Sequence, residues 1–317
     1  MSFRSQIKKR IFASAPGRQV ISGSKKLYLP GLNGLSIYEV GPPFLRQLRI
    51  TSLTERASGI SFNIVMAIPP TLIFVFTLIP YLPISKQFIQ QLFSLIRDII
   101  PGEKDNSAII NFLNDFLNSP RNGLLSFGLL LAIYFSSNAM MGILRAFDKN
   151  YPGFMRRNIF ERRIVALQLT LIVFVLFSVC MGLLIGQSSV LHWLGITEGF
   201  WHYVLENFRW IILFLLLFFI VSFVYKHGAA VTKKWPLLTP GAASATTLMI
   251  IATALVSFWV NNFSNYNKLY GSIGAIFILM SLIYVNALAV LMGFELNVTL
   301  SNLRQAKDES KKVIITP

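Results

Sequence analysis

Residues 208–225 read FRWIILFLLLFFIVSFVY, and this stretch decides the fold class of the chain. Only Arg209 and Ser222 interrupt its apolar character. A helix that crosses a bilayer needs about 20 mostly apolar residues, so the stretch predicts a membrane-spanning helix. The whole composition agrees, because 54% of the 317 residues are hydrophobic and 13% are charged, against about 25% charged in soluble domains.

Five further stretches have the same length and apolar character, which makes six predicted spans in total. The sequence therefore predicts an all-α polytopic membrane protein with six transmembrane helices. The predicted spans lie at 60–82, 122–144, 164–186, 208–225, 240–260 and 271–297.

The distribution of Lys and Arg predicts how these spans are oriented. One set of connections, together with both chain ends, carries 23 of the 29 basic residues, and the other side carries six. Basic connections remain in the cytoplasm, so we expect a bacterial inner-membrane protein with both termini inside. Orientation and contact with anionic lipid headgroups at the cytoplasmic face then explain the net charge of +16, and nucleic acid is not an expected partner.

Segments outside the spans are expected to add shorter helices. Two amphipathic stretches within 83–121, KQFIQQLFSLIRDII and AIINFLNDFLN, predict helices on the outer surface. A juxtamembrane helix is expected to begin after Pro43 on the cytoplasmic side. We predict a basic, partly disordered cytoplasmic segment at 1–45, a transmembrane domain at 46–300 and a cytoplasmic tail at 301–317.

The last third of the chain contains a series of short motifs that form one pattern. They are Pro240-Gly241, Ser264-Asn265-Tyr266-Asn267, Tyr270-Gly271-Ser272, Gly274 and Gly293-Phe294-Glu295-Leu296-Asn297. This pattern resembles the YihY/virulence factor BrkB family of bacterial inner-membrane proteins. The resemblance implies six spans, and it brings an older ribonuclease BN label that is regarded as mistaken, but it names no substrate. The doubled proline at Pro69-Pro70 departs from the first span of that family.

The polar stretch 261–274, NNFSNYNKLYGSIG, joins the last two spans on the predicted outer side. Its Asn and Ser residues are typical of turns and helix caps, and Gly271 and Gly274 would allow close packing. Alternatively, Asn265, Tyr266 and Tyr270 could offer amides and phenols to a polar ligand. The sequence leaves both interpretations open.

Glu295 is the only carboxylate inside a predicted span. A charge placed there is costly and suggests either an ion pair or a functional site. Arg145 and the pair Arg162/Arg163 are the candidate partners, since they lie at the same predicted end of the membrane. One interpretation is an ion pair that ties helices together, and the other is a gate or a proton-coupling group.

Polar features also interrupt the first two predicted spans. Pro69 and Pro70 remove two backbone donors and should kink or break the first span. Ser137 and Asn138, with Ser136, lie near the middle of the second span. They could join the freed carbonyls in a polar pocket, or they could make hydrogen bonds between helices.

The inventory of reactive residues predicts no enzyme, no cofactor and no metal site. The chain has three histidines and one cysteine, and no zinc-ligand spacing, Gly-rich phosphate loop or nucleophile motif is present. The favoured hypothesis is transport or permeation of an unknown solute or lipid. The alternative is a non-transporting scaffold for envelope integrity, and the sequence speaks against a ribonuclease. A homo-oligomer is compatible with the sequence.

Overall fold

The computed structural model describes residues 35–78, 122–148, 151, 153–155, 157–193, 200–232, 234–262 and 272–315. These residues form seven helices, which confirms the predicted all-α class. The predicted outer helices within 83–121, and also Asn265, Tyr266, Tyr270 and Gly271, lie outside the described residues. The helices are α1 (Ile37–Ile50), α2 (Leu53–Leu78), α3 (Asn122–Phe147), α4 (Ile159–Trp193), α5 (Phe200–Gly228), α6 (Pro240–Asn262) and α7 (Ser272–Ile315).

Helix α1 begins earlier than the sequence led us to expect. The Ser36 hydroxyl accepts a hydrogen bond from the Glu39 amide at 3.3 Å, and the Glu39 carboxylate accepts one from the Ser36 amide at 2.8 Å. This capping box fixes the first turn, and the helix then runs through Pro42 and Pro43. The expectation of a start after Pro43 is therefore wrong, because the cap sets the boundary and each proline removes only one hydrogen bond.

Six of the seven helices are long and apolar enough to cross a membrane, which confirms the predicted number of spans. The helices continue past the apolar windows, since α4 reaches Trp193 and α5 already begins at Phe200. Helix α2 passes through Pro69 and Pro70 without interruption. Because proline has no amide hydrogen, the carbonyls of Val65 and Met66 lack their usual donors four residues on.

The six spans are arranged as a ring in chain order. Each span packs against its neighbours in the chain, and α7 closes the ring by packing against α2. Helix α1 lies against the last part of α7. The starts of α2, α4 and α6 meet the ends of α3 and α5 at one end of the ring. We call this the basic end, because the connections richest in Lys and Arg join there.

Among the described residues, the main hydrophobic core lies in the half of the bundle next to the basic end. On α3, Ser137, Met141 and Leu144 follow one helical face and are at most 5% exposed. The same face continues outward through Tyr134 and Leu130, which are 53% and 67% exposed. The core-facing side of α3 is therefore packed at the basic end and open towards the opposite end.

Helices α5 and α7 show the same transition along their core-facing sides. On α7, Leu291 is fully buried, whereas Phe277 and Met280 on the same face are exposed. On α5, Tyr225 is buried and Ile211 is exposed. Three separate spans are thus packed at the base and exposed beyond it; among the described residues, we interpret these exposed faces as the apolar walls of an open space, which we call the funnel. Its described wall residues are Leu130, Tyr134, Ile211, Phe214, Phe277 and Met280.

Candidate functional site at the basic end

Glycines allow α6 and α7 to approach closely at the basic end. A Cβ atom on Gly293 would overlap the carbonyl oxygen of Gly241, and a Cβ atom on Gly241 would overlap that of Gly293. Because both contacts involve backbone, no side-chain rotation could relieve the overlap. The two helices therefore cross at this pair of glycines, as small residues permit in membrane proteins.

Asn297 completes the cap at the start of α6. Its Oδ1 accepts a hydrogen bond from the Gly241 amide at 2.9 Å, and its Nδ2 donates to the Thr239 hydroxyl at 3.0 Å. The Thr239 hydroxyl also accepts from the Ala242 amide at 3.1 Å. Pro240 has no amide hydrogen to satisfy. The first free amides of α6 are thus paired inside the protein, which a buried helix end requires.

Phe294 lies at the centre of an aromatic cluster that fills the base of the ring. Its ring stacks on Phe147 with centroids 4.0 Å apart. Tyr225, Phe154 and Trp235 surround it, with centroid distances of 6.0, 6.2 and 5.5 Å. These rings come from α3, α5, α7 and the segments beside them, so the cluster closes the base of the funnel.

Glu295 is fully buried and accepts hydrogen bonds from three side chains. Arg56 Nη1 donates to Oε1 and forms an ion pair with it. Tyr151 Oη donates to the same oxygen at 2.7 Å, and Gln47 Nε2 donates to Oε2 at 3.1 Å. The carboxylate thereby joins α1, α2 and the α3–α4 connection to α7. A buried charge of this kind is tolerated only when it is paired and hydrogen-bonded.

Tyr151 remains a hydrogen-bond donor at every physiological pH. Burial, together with the neighbouring Glu295 carboxylate, raises the pKa of Tyr151 well above its ordinary value. The phenol therefore keeps its proton and donates a hydrogen bond to Glu295. Arg56 is 7% exposed through its side chain, and its Nε and Nη2 atoms have no acceptor among the described residues.

The partner of Glu295 differs from the candidates that the sequence offered. Arg145 is exposed, and Arg162 pairs with Asp148 at 2.7 Å. Arg163 donates instead to Asn138 Oδ1. Glu295 does form an ion pair, as one of the two interpretations held, but its partner is Arg56 and none of the three candidate arginines. The reason is that α2, rather than α3 or α4, packs beside Glu295 when α7 closes the ring.

The α3–α4 connection is tied to the end of α5. Arg157 donates to the carbonyls of Gly228, His227 and Ala229 at 2.7, 3.0 and 3.2 Å, which satisfies the last turn of α5. The Met155 amide donates to the Ala230 carbonyl at 2.7 Å. Burial lowers the pKa of Arg157, and burial raises that of Asp148 against the opposing effect of Arg162. The hydrogen bonds from Arg157 and Met155 fix the α3–α4 connection, and this holds Tyr151 in place.

The other predicted site residues are distributed over separate parts of the ring. Ser137 is fully buried, and its hydroxyl has no partner among the described residues. Asn138 faces Arg163, while Pro69 and Pro70 lie inside α2. Gly274 is buried in the first turns of α7. None of these residues contacts Glu295 in the described structure.

An apolar groove of about 330 Å³ lies among α2, α3 and α4. Its hydroxyl-bearing residues are Thr71, Ser136 and Thr170, and both threonines donate to carbonyls of their own helices, at 2.7 and 2.8 Å. The groove therefore presents mainly methyl and methylene groups. The remaining lining comes from Ile64, Ala67, Ile68, Leu72, Ala139, Met140, Ile143 and Val173.

Sequence reasoning missed four of the residues that build the basic end: Gln47, Arg56, Tyr151 and Thr239. Thr239-Pro240 is a readable cap signal, because Thr precedes a proline that opens a helix. No local signal links Gln47, Arg56 or Tyr151 to a carboxylate more than 140 positions away. Among the described residues, no three His, Cys, Asp or Glu side chains converge as metal ligands.

Comparison with known proteins assigns the family. The model for Virulence factor BrkB matches residues 44–313. The chain belongs to the virulence factor BrkB family. The match includes α2 to α7 and ends within the last turns of α7, so the BrkB assignment covers all the residues that surround Glu295.

Curated BrkB relatives are similar along most of the chain. The putative ribonuclease-like protein YfkH of Bacillus subtilis (strain 168) is 30% identical over 263 residues, which cover 81% of this chain and 93% of YfkH. UPF0761 membrane proteins of Tolumonas auensis and Chlorobium limicola are 24% and 25% identical, over 81% and 84% of this chain. The alignments cover 83% of the Tolumonas protein but only 59% of the Chlorobium protein. No solved structure matches the chain.

Proposed function

We propose that this BrkB-family protein is a membrane permeation protein for an amphipathic molecule, and that the layer around Glu295 is its closed gate. The observation that carries the proposal is the change from buried to exposed residues along single faces of α3, α5 and α7. A bundle with a purely structural role would be expected to pack along its whole length, as protein interiors normally do. A packed base below an open funnel is the form of a pathway that is closed at one end.

The chemistry of the walls supports an amphipathic cargo over a hydrophilic solute. The funnel and the groove present apolar side chains, and the two groove threonines bond within their own helices. A hydrophilic solute would lose hydrogen bonds to water there and gain none, at a cost of several kcal/mol per buried polar group. An acyl chain would gain close contacts at no such cost.

The proposal is tested by reconstituting the full chain into phosphatidylcholine vesicles that contain a trace of fluorescent phospholipid. Movement between leaflets is followed by quenching the label from outside, and trapped carboxyfluorescein reports leakage of a hydrophilic solute. We expect faster lipid movement than in empty vesicles and no dye leakage. Ala139→Phe, which fills the groove, should reduce the rate at least threefold. Ala254→Phe, an exposed position on α6, is the matched control.

A second candidate function, a non-transporting scaffold in the envelope, is favoured by one surface. Helix α1 exposes Leu45 and Ile50 beside Arg46 and Arg49, a mixture suited to anionic lipid headgroups at the membrane surface. If lipid movement equals that of empty vesicles while vesicle binding requires Arg46 and Arg49, the scaffold replaces the permeation protein as the proposed function.

We further propose that the function involves no catalysis. Both oxygens of Glu295 already accept hydrogen bonds, so this carboxylate is a poor general base. The ribonuclease-like name of YfkH makes RNA the direct substrate to test. We expect the purified chain to leave a labelled RNA intact, with and without added divalent metal. Reproducible RNA cleavage by the purified chain, which a substituted variant purified in the same way does not show, would overturn this part of the proposal.

A further inference from the structure

Arg163 carries a charge that the described structure does not neutralise. Its neighbour Arg162 pairs with Asp148, and Arg157 is held by three carbonyls. Arg163 makes no ion pair with a described carboxylate; its contacts are the Asn138 amide oxygen and the face of Tyr134, 4.9 Å from its guanidinium carbon. An arginine within a membrane span normally pairs or has a functional role.

The guanidinium of Arg163 is also held away from the membrane surface. Arg163 lies near the start of α4, at the basic end, where a long side chain would ordinarily reach back to the interface. Asn138 lies nine residues inside the end of the α3 span at Phe147, which is about 13 Å along the helix axis. The hydrogen bond to Asn138 and the contact with Tyr134 therefore hold the charge at depth.

The position of this charge relates it to both apolar features. Tyr134 is an exposed residue of the funnel wall, next after the buried Ser137 on the same face of α3. On α4, Arg163 shares a face with Thr170 of the groove, two turns away. A positive group with neutral partners thus lies where the packed base begins and the apolar walls open.

We propose that Arg163, positioned by Asn138 and Tyr134, binds the phosphate of an anionic lipid whose acyl chains lie against the groove and the funnel wall. The planar guanidinium fork can offer two parallel N–H donors to phosphate oxygens, and the apolar lining accepts the chains. This inference rests on the proposed function and names the substrate class: an anionic lipid, with the phosphate rather than the chains as the group that is selected.

Three probes separate the chemistry, with the full chain held in neutral detergent and binding followed by native mass spectrometry and thermal shift. Dioleoyl phosphatidic acid has acyl chains and a phosphate, dioleoylglycerol has acyl chains alone, and inorganic phosphate has the phosphate alone. We expect phosphatidic acid to bind at least tenfold more tightly than either other probe. Equal binding of inorganic phosphate would indicate a free-anion site, and equal binding of dioleoylglycerol would indicate a chain site; either result overturns the inference.

Variants identify the residue responsible. Arg163→Gln should weaken phosphatidic acid binding at least tenfold. Arg145 is an exposed arginine at the basic end of α3, and Arg145→Gln should leave the binding within twofold. Asn138→Ala keeps the charge and loses its positioning contact, so it should weaken binding about threefold to tenfold even if Arg163→Gln does not fold. Unchanged binding in Asn138→Ala and in any folded Arg163→Gln protein overturns the inference.

This outcome can be distinguished from failure of the proposed function. Binding that depends on Arg163, together with no lipid movement in vesicles, would refute permeation and retain the lipid site. Lipid movement together with phosphatidic acid binding that is independent of Arg163 would refute the lipid site and retain permeation.

Discussion

Glu295 is the residue on which the packing of the basic end depends most. Arg56, Tyr151 and Gln47 converge on its two oxygens from three different segments. Glu295→Gln removes the charge and leaves Arg56 buried without its counter-ion. Breaking one partner of a buried pair typically costs about 3–5 kcal/mol. We expect a loss of this size in thermal or chemical unfolding of the detergent-solubilised protein.

The matched control for this change is Glu55→Gln, because Glu55 is an exposed carboxylate one position before Arg56. It should cost less than about 1 kcal/mol, the range for a charge near a helix N-terminus. The double variant Arg56→Met/Glu295→Met should recover part of the loss, since it removes both buried charges together. A Glu295→Gln protein as stable as the Glu55→Gln protein would contradict the role given to this ion pair.

At the scale of single residues, the sequence singled out Glu295 and offered an ion pair as one interpretation, but it did not identify the partner. The cost of a carboxylate in a span can be read from composition and hydropathy alone. The partner depends on which helix α7 meets when the ring closes, and this contact joins positions 239 apart. No local pattern encodes such a distant contact, so Arg145, Arg162 and Arg163 looked equally suitable.

Among the helices, the contact between α6 and α7 should tolerate no enlargement. Gly293→Ala places a methyl group against the Gly241 carbonyl, and overpacking of this kind costs about 1–3 kcal/mol or more. Gly59→Ala on α2 is the matched control, because nothing lies within 4 Å of its added Cβ. That change should be neutral or stabilising by about 0.5–1 kcal/mol. Equal unfolding midpoints for the two variants would refute the close crossing.

The start of α1 should depend on pH through Glu39. Its hydrogen bonds with Ser36 lower the pKa of Glu39 below the ordinary value of 4.5. A lowered pKa in the folded state means that the cap stabilises α1 above the ordinary value and is lost as the pH falls through the folded one. Hydrogen–deuterium exchange of the amides in the first turn of α1, corrected for the pH dependence of intrinsic exchange rates, should therefore accelerate on acidification.

Glu39→Gln provides the control for this effect. Glutamine can keep the capping box but does not titrate near pH 4, so the pH dependence should disappear. An unchanged acid response in Glu39→Gln would assign the effect to another group.

Helix number was predictable and helix boundaries were not, for physical reasons seen in α1 and α4. A hydropathy window detects runs of apolar side chains, so it found the six spans. A helix can continue past the apolar run into the membrane interface, as α4 does when it runs on to Trp193. The start of α1 was readable, since Ser36 and Glu39 have capping-box spacing. The prolines at 42 and 43 outweighed that signal, although a capped helix can contain them.

For the whole molecule, we propose that both termini lie in the cytoplasm, because the connections at the basic end carry most Lys and Arg. In a Cys180→Ala background, Lys268→Cys should react with a membrane-impermeant thiol reagent added to intact cells. Lys226→Cys at the end of α5 should react only after the membrane is permeabilised. The opposite pattern would invert the orientation and place the funnel opening in the cytoplasm.

The funnel could not have been predicted from the sequence. Leu130 and Leu144 are equally apolar and lie on the same face of α3, yet one is exposed and the other fully buried. In a span surrounded by lipid, hydropathy does not separate a side chain that faces protein from one that faces lipid or open space. Which parts of α3, α5 and α7 are exposed depends on how the helices pack.

The open funnel above a closed base is the central claim, and thiol reactivity along one face of α3 tests it most directly. Single cysteines at Leu130, Met141 and Leu144, in the Cys180→Ala background, would be treated in intact cells with a small impermeant methanethiosulfonate reagent. We predict rapid labelling at 130 and none at 141 and 144. Protection of all three cysteines, or labelling at 144 as fast as at 130, would contradict a pathway that is open at one end and closed at the other.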